Sequence, residues 1–320
     1  MNVVTLGGGT GTFVVLSALK KIPRLTLTAI VSGADDGGST GHLRDAYGFL
    51  PAGDVRQALV ALSEEKSTLR ELFAYRFDKG NIAGHSLGNL FLTALTDILG
   101  SDAQAVEEAG KVLRIRGRVL SSTERPATLV AILENGTTIE GEHLIDVRET
   151  HREKITSVSY KEPMTLSKHA QEAIEKADVL VLGPGDLYTS TVASLLAQGT
   201  KDAIQHSSAR LVYIVNLFTK SGQTTGLSAS EHAEILANYT GKYPDHLLMN
   251  TQEFSQDILT RYGQEQEYPV KDDLGSSSAV VRGDFVSIKT VPALPGDEVA
   301  RSLVRHDSGK LSTALTTLFS

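Results

Sequence analysis

The sequence predicts an α/β fold in which a doubly wound, mostly parallel sheet carries a small antiparallel insertion. Three observations support this. Short apolar runs bounded by turn residues alternate with helical patterns, as parallel βαβ units require. Of 29 glycines, 13 fall within the first 90 residues and two flank Pro184, so they mark turns between these elements. Between about 110 and 162 the pattern switches to period two and includes an Asn-Gly turn.

The first strand is Val3 to Leu6, and the second is Leu27 to Val31. Between them Phe13-Val14-Val15-Leu16 and Ala18-Leu19 form an apolar helix that ends before Pro23, because proline cannot continue it. Val55 to Leu62 and Leu87 to Leu99 carry helical apolar stripes, the second stopped at Gly100-Ser101. Val112 to Val119 alternates with period two. Leu129 to Leu133 follows, and Asn135-Gly136 before Thr137-Thr138-Ile139 is a hairpin signal. These runs define the β-rich insertion at 110–162 within a single large domain spanning 1–320. The winding then resumes with a helix at Ser167 to Ala177, a strand at Val179 to Leu182, a helix through Leu195 and a strand at Leu211 to Val215. Leu247-Leu248-Met249 reads as a buried strand, Phe285 to Ile288 as β-like, and Lys310 to Phe319 as a closing helix.

Composition narrows the chemistry. With 38 acidic and 31 basic side chains the formal net charge is −7, which leaves no basic footprint for nucleic acid. Zero cysteines exclude disulfides, thiolate metal sites and a cysteine nucleophile, and fit a reducing compartment. No apolar run approaches the roughly 18 residues of a membrane span. Met1-Asn2 leads straight into a short strand without a basic leader, so the expected location is the cytoplasm.

The sharpest motif is Gly7-Gly8-Gly9-Thr10-Gly11-Thr12, directly after a strand and before a helix. Glycines there let a ligand approach the backbone, and amides at a helix N-terminus suit a phosphate. No Gly-Lys-Ser/Thr follows and the spacing is not G-x-G-x-x-G, so neither a P-loop nor a dinucleotide fingerprint is present. A tight βα turn is the plain alternative. Asp35-Asp36-Gly37-Gly38-Ser39 lies past the second strand, where a doubly wound sheet exposes its carboxyl edge; its acids suit a ribose, a base or Mg²⁺. Arg44 and Arg56 supply guanidinium groups for phosphate, the plain alternative being an acidic solvated turn with Arg44 as its surface partner. Asp54 is either a ligand contact or a helix cap. In Gly84-His85-Ser86-Leu87-Gly88-Asn89, His85 and Asn89 suit a phosphate or sugar hydroxyl, with a structural histidine as the alternative. Gly183-Pro184-Gly185-Asp186-Leu187-Tyr188-Thr189-Ser190 repeats the design of the first loop, and Asn216 ends the next strand at the equivalent position. No zinc spacing or G-x-S-x-G elbow occurs.

Taken in order, these segments resemble the gluconeogenesis factor family, which is related to the 2-phospho-L-lactate transferases of deazaflavin coenzyme biosynthesis. The resemblance runs through Gly7 to Gly11, Ala34 to Gly41 with Leu43-Arg44-Asp45, Gly53-Asp54-Val55-Arg56, Tyr75-Arg76-Phe77, Gly84 to Phe91 and Gly183-Pro184-Gly185. It reaches Arg305-His306-Asp307, nearly the whole chain. It implies a Rossmann-like, three-layer α/β/α fold and a cytoplasmic bacterial protein that binds UDP-sugars such as UDP-N-acetylglucosamine. The implied role is to sustain cell shape and wall synthesis during gluconeogenic growth, as a regulator more than a catalyst. Gln57 and Asp186 depart from the family, which commonly has Asn and Ser at these places.

The expected ligand set is therefore Gly8, Gly9, Thr10, Gly11, Asp35, Asp36, Gly37, Ser39, Arg44, Asp54, Arg56, His85, Asn89, Gly183, Gly185 and Asn216. No cofactor is required; the metal expectation is Mg²⁺ at Asp35 and Asp36. The expected partners are a UDP-sugar or related nucleotide, a regulatory protein and a second copy of the chain, with neither nucleic acid nor a membrane span. The competing reading is a Mg²⁺-dependent phospholactate-type transferase acting on a nucleotide donor.

Overall fold

A computed structural model describes residues 1–64, 68–147, 153–287 and 303–320. Its main sheet has seven strands, all parallel, in the order β10-β9-β8-β7-β1-β2-β3. The first half of the chain winds outward on one side: β1 (Asn2–Leu6), α1 (Gly9–Leu19), β2 (Thr26–Val31), α2 (Gly38–Tyr47), α3 (Ala52–Leu62), α4 (Thr68–Ala74), α5 (Leu87–Leu99), α6 (Asp102–Val112) and β3 (Arg118–Ser121). A second sheet of β4 (Leu129–Leu133), β5 (Thr138–Glu140) and β6 (Ile155–Tyr160) follows, with the short α7 (Glu142–Asp146) after β5. The chain then winds the other way through α8 (Lys168–Glu175), β7 (Val179–Leu182), α9 (Thr200–His206), β8 (Arg210–Ile214), α10 (Ala229–Thr240), β9 (His246–Asn250), α11 (Gln256–Gln264), β10 (Val280–Gly283) and α12 (Ser308–Phe319). Because the winding reverses between β1 and β7, their carboxyl ends flank the crevice where a doubly wound sheet binds ligands.

The strands are apolar on both faces, as a covered parallel sheet demands. Val3, Leu27, Val31, Val181 and Ile214 pack on one side against Val15 and Leu19 of α1, Leu59 of α3 and Leu311 of α12. Val4, Leu6, Ile30, Leu182 and Tyr213 face the other side, against Ile174 of α8, Ile204 of α9 and Leu236 of α10. The inner face of the antiparallel sheet, Leu129, Ala131, Leu133 and Val158, joins that second core. The result is the three-layer α/β arrangement expected.

Three details differ from the sequence reading. The alternation in Val112 to Val119 is not a strand of the insertion. Ala105, Ala109 and Leu113 recur every four residues on one buried helical face, and α6 therefore runs to Val112. Gly117, at φ 127°, then passes close to the Leu27 backbone, and β3 pairs in parallel with β2, so the antiparallel sheet begins only at Leu129. The helix expected through Leu195 is a π-turn (Leu187–Thr191) followed by a 3₁₀ turn (Val192–Leu195), the amides of Ser190 and Thr191 both donating to the Asp186 carbonyl. Of the β-like run Phe285 to Ile288, Val286 makes an isolated antiparallel bridge with His306, and Ile288 lies outside the described residues. The Asn-Gly hairpin forms as expected, with Val130 opposite Glu140 and Gly136 at φ 84°.

Candidate functional site

The two glycine loops meet. β1 and β7 are hydrogen-bonded neighbours, so the turn after each opens at the same point of the sheet edge. A Cβ on Gly11 would overlap the Pro184 carbonyl, and one on Gly185 would lie 3.3 Å from the Gly8 carbonyl oxygen. Glycine is needed at Gly11 because two backbones pass in direct contact. Gly9 has φ 67°, a left-handed conformation that other residues adopt only with strain. Asn216, beyond β8, donates from Nδ2 to the Gly185 carbonyl (2.7 Å) and accepts from the Tyr213 hydroxyl (3.1 Å), tying the second loop to the next strand.

These loops floor a cavity of about 340 Å³. Gly8, Gly9, Thr10, Gly11, Asp35, Gly37, Ser39, Asp54, Arg56, His85, Asn89, Gly185 and Asn216 all line it. One wall is a hydrogen-bonded chain. Arg56 Nε donates to Asn89 Oδ1 (3.0 Å), Asn89 Nδ2 donates to Ser39 Oγ (3.3 Å), and Ser39 Oγ meets His85 Nδ1 at 2.9 Å. Ser86 caps α5 by accepting from the Asn89 amide, which orients the first turn of that helix. Arg56 is buried and packs over Gly88, where a Cβ would collide with its side chain. Burial, aided by His42 and Arg76, lowers the His85 pKa and favours the neutral ring.

The acids divide. Asp54 does not cap its own helix: it accepts the Gly9 amide at 2.8 Å, reaching from α3 to the N-terminus of α1. Asp35 accepts from the Gly37 amide (3.1 Å). Burial first, then the charge of Asp54, pushes Asp35 up to about 7, and burial likewise raises Asp54 against the help of Gly9 and Arg56. Asp36 faces elsewhere. Its carboxylate accepts the amides of Glu142 (3.2 Å) and His143 (2.7 Å) at the start of α7, and lies 4.0 Å from Arg44.

Asp36, Arg44 and Gly183 consequently fall outside the cavity lining, against expectation. Arg44 is engaged by Asp36 and by Asp45 (3.3 Å), so its charge is spent on neighbouring carboxylates. Gly183, at φ 64°, sits against Tyr213 and the Ile214 carbonyl and sets the course of the loop from beneath. The expected metal pair is likewise split, since Asp35 lines the cavity while Asp36 is held by the amides of α7. Among the described residues no group of three or more His, Asp or Glu is arranged to hold a metal ion.

The profile of the family described as 2-phospho-L-lactate transferase CofD matches residues 3–286. The chain belongs to the CofD family. It is 41% identical over 316 residues to the gluconeogenesis factor of Halalkalibacterium halodurans, covering 98% of this chain and 95% of that one. It is 35% identical over 324 residues to the gluconeogenesis factor of Bacillus subtilis, covering 99% and 98%. A crystal structure of a UPF0052 family member from Bacillus halodurans superposes with a TM-score of 0.87 at 40% identity, covering 98% of each chain.

In this CofD-family chain the opposite wall is one that motif reading missed. The Asp36 anchor swings α7 inward, so that Glu142 and Asp146 line the cavity together with Asp186, Lys220 and Glu267. Lys220 Nζ lies 3.7 Å from Asp146 Oδ1, which also accepts from Gln223 Nε2 (3.0 Å), while Glu267 accepts the Ser221 amide (3.4 Å). Burial and the nearby Asp186 push Asp146 up to about 7 despite Lys220, and burial also raises Glu267. Glu142 is raised as well, by burial and then by Asp35. Burial disfavours the charge on Lys220, but Asp186, Asp146 and Glu267 outweigh it and keep it cationic. Asp186, one of the two departures from the family, is thus offset by the charge of Lys220. None of Asp146, Lys220 and Glu267 stands in a glycine motif. Arg76, Arg305 and His306, by contrast, line the cavity and do lie in segments that carried the resemblance.

Proposed function

We propose that this chain binds a nucleotide sugar of the UDP-N-acetylglucosamine type in this cavity and acts as a cytoplasmic gluconeogenesis factor. In that role it supports cell shape and wall synthesis during growth on gluconeogenic carbon sources, its ligand-bound form being read by a protein partner. One observation supports the binding most directly: two glycine loops meet at the reversal point of the sheet beside buried Arg56, over a cavity of about 340 Å³. Backbone cleared of side chains admits a pyrophosphate, Arg56 offsets its charge, and Asn89, Ser39 and His85 suit hydroxyls of the ribose or sugar. Calorimetric titration with UDP-N-acetylglucosamine tests this, with saturable heat and a raised melting temperature expected. No heat and no thermal shift at millimolar ligand would sink it.

A second reading, a Mg²⁺-dependent phospholactate-type transferase, is favoured by Asp35 and Asp54. Both line the cavity beside the glycine floor, and each is raised by burial. Two carboxylates together with phosphate oxygens and water are a donor set that Mg²⁺ accepts. Bound there, the ion would neutralise phosphate charge that Asp54 alone repels. Incubation with a guanylyl-lactyl donor, a deazaflavin and Mg²⁺ separates the readings: transfer product favours the enzyme, and its absence alongside tight UDP-sugar binding favours the regulator.

A further inference from the structure

His306 lies in the strip that rejoins the described chain before α12. It bridges Val286, and the flanking bonds from the Ser287 amide to the Arg305 carbonyl (2.8 Å) and from the Asp307 amide to the Phe285 carbonyl (2.7 Å) hold the strip in place. The side chain is nearly sealed, at 7% exposure, yet it belongs to the cavity lining. Its ring donates to the Val215 carbonyl at the end of β8, while among the described residues Nε2 has no partner. Burial lowers its pKa to about 4, so the ring is neutral near pH 7. With Nδ1 carrying the proton given to Val215, Nε2 is left as a bare acceptor. A buried acceptor of this kind requires a donor, and its desolvation is wasted without one.

The surroundings indicate which donor. On this side the lining includes the apolar Leu217, Val304 and Phe218, the last stacked on Tyr262 with centroids 3.9 Å apart and rings 16° from parallel. Arg305, next in the chain to His306, and Lys220, two residues beyond Phe218, line the same cavity, while the glycine floor lies at the ends of β1 and β7. A sugar brings several hydroxyls that need several polar partners. A planar heterocycle brings apolar faces and one ring N–H, which matches apolar side chains beside one neutral acceptor.

We propose that His306 Nε2 accepts a hydrogen bond from the imide N–H of a uracil base and so distinguishes uridine from cytidine nucleotides. The inference rests on the nucleotide-sugar reading above. Uracil presents a donor at ring position 3, whereas cytosine presents a lone pair there and would leave two acceptors face to face. Such a mismatch in a buried site costs far more than the loss of a methylene contact.

The test compares UDP, CDP and N3-methyl-UDP by calorimetry on the full chain and on two variants. The unmodified protein should bind UDP at least about tenfold more tightly than CDP or N3-methyl-UDP. In H306F, which keeps a planar ring but has no acceptor, the UDP-to-CDP ratio should fall to within about threefold, chiefly through weaker UDP binding. H306Q, whose Oε1 remains an acceptor, should retain part of the preference. A role confined to packing would alter both affinities together and leave the ratio unchanged. Equal binding of UDP and CDP by the unmodified protein overturns the inference while leaving the nucleotide reading intact, as does an undiminished preference in folded H306F. Binding of none of the three at millimolar concentration overturns both. The N3-methyl-UDP arm needs no variant, so it decides the matter even where H306F fails to fold.

Discussion

The two walls of the cavity are built on different principles. On the β2 side, Ser39, Arg56, His85 and Asn89 form a chain of hydrogen bonds in which each polar group is oriented by the next. On the β8 side, Asp146, Asp186 and Glu267 crowd around Lys220, and burial and the charge of Asp186 push the carboxyls of Asp146 and Glu267 upward. The first wall is a geometric device with directional bonds, suited to recognising shape. The second is a charge reservoir whose protonation changes near neutral pH, so its field on a ligand varies with conditions. Between them the glycine floor contributes no side chains and depends only on where the backbone lies.

The comparison can be broken most severely at the floor. In G11A the new methyl meets the Pro184 carbonyl, a backbone atom that cannot rotate away, and overpacking of this kind costs on the order of 1–3 kcal/mol or more. The expected outcome in chemical denaturation is a lowered midpoint of at least that size together with lost UDP-sugar binding. A variant with unaltered stability and affinity would mean that the loops do not touch.

A smaller effect is expected in the ordered wall. N89L removes the acceptor for buried Arg56 Nε and the donor to Ser39, stranding buried polar groups at roughly 1–3 kcal/mol. Stability and affinity should both fall, and ligand-detected pH titrations should show the ring of His85 altered through Ser39. An affinity loss with neither change would place Asn89 in direct ligand contact only.

The smallest effect concerns the charge reservoir and appears as a slope. Asp146 is held near 7 in the folded protein against an ordinary value of 3.8, so between about pH 4 and 7 the folded state binds more protons than the unfolded state. Its contribution therefore favours folding at the acid end of that window and is lost as pH rises through 7. Replacing Asp186 with serine removes the principal charge that raises Asp146, after burial. D186S should flatten the fall in stability between pH 5 and 7 when melting temperatures are followed across that range. An unchanged slope would show that Asp186 does not govern Asp146.

Much of the first wall and the floor was legible along the chain, for a local reason. Gly7 to Gly11 and Gly183 to Gly185 directly follow buried strands, and Ser86 caps the helix that presents Asn89, so short segments already contain the geometry they need. Where local patterns were degenerate, they misled. Val112 to Val119 satisfies period two, yet Ala105, Ala109 and Leu113 satisfy a helical period and are all buried. Asp35 and Asp36 are neighbours in sequence, but the turn they occupy sends one carboxylate to the cavity and the other to α7.

By itself, then, the amino-acid sequence determined the α/β winding, the placement of glycines at strand ends and the exclusion of thiol chemistry, because these depend on periodicity, backbone freedom and composition. The tertiary structure alone decided which carboxylates share a site, that Arg44 is engaged by Asp36 and Asp45, and that Lys220 answers Asp186. Those outcomes depend on distances between elements far apart in the chain. The decisive case is Asp36, whose two bonds to the amides of α7 carry Glu142 and Asp146 more than a hundred residues along the chain to the edge of the same sheet. Electrostatic interaction falls with separation in space, and sequence order carries no record of that separation.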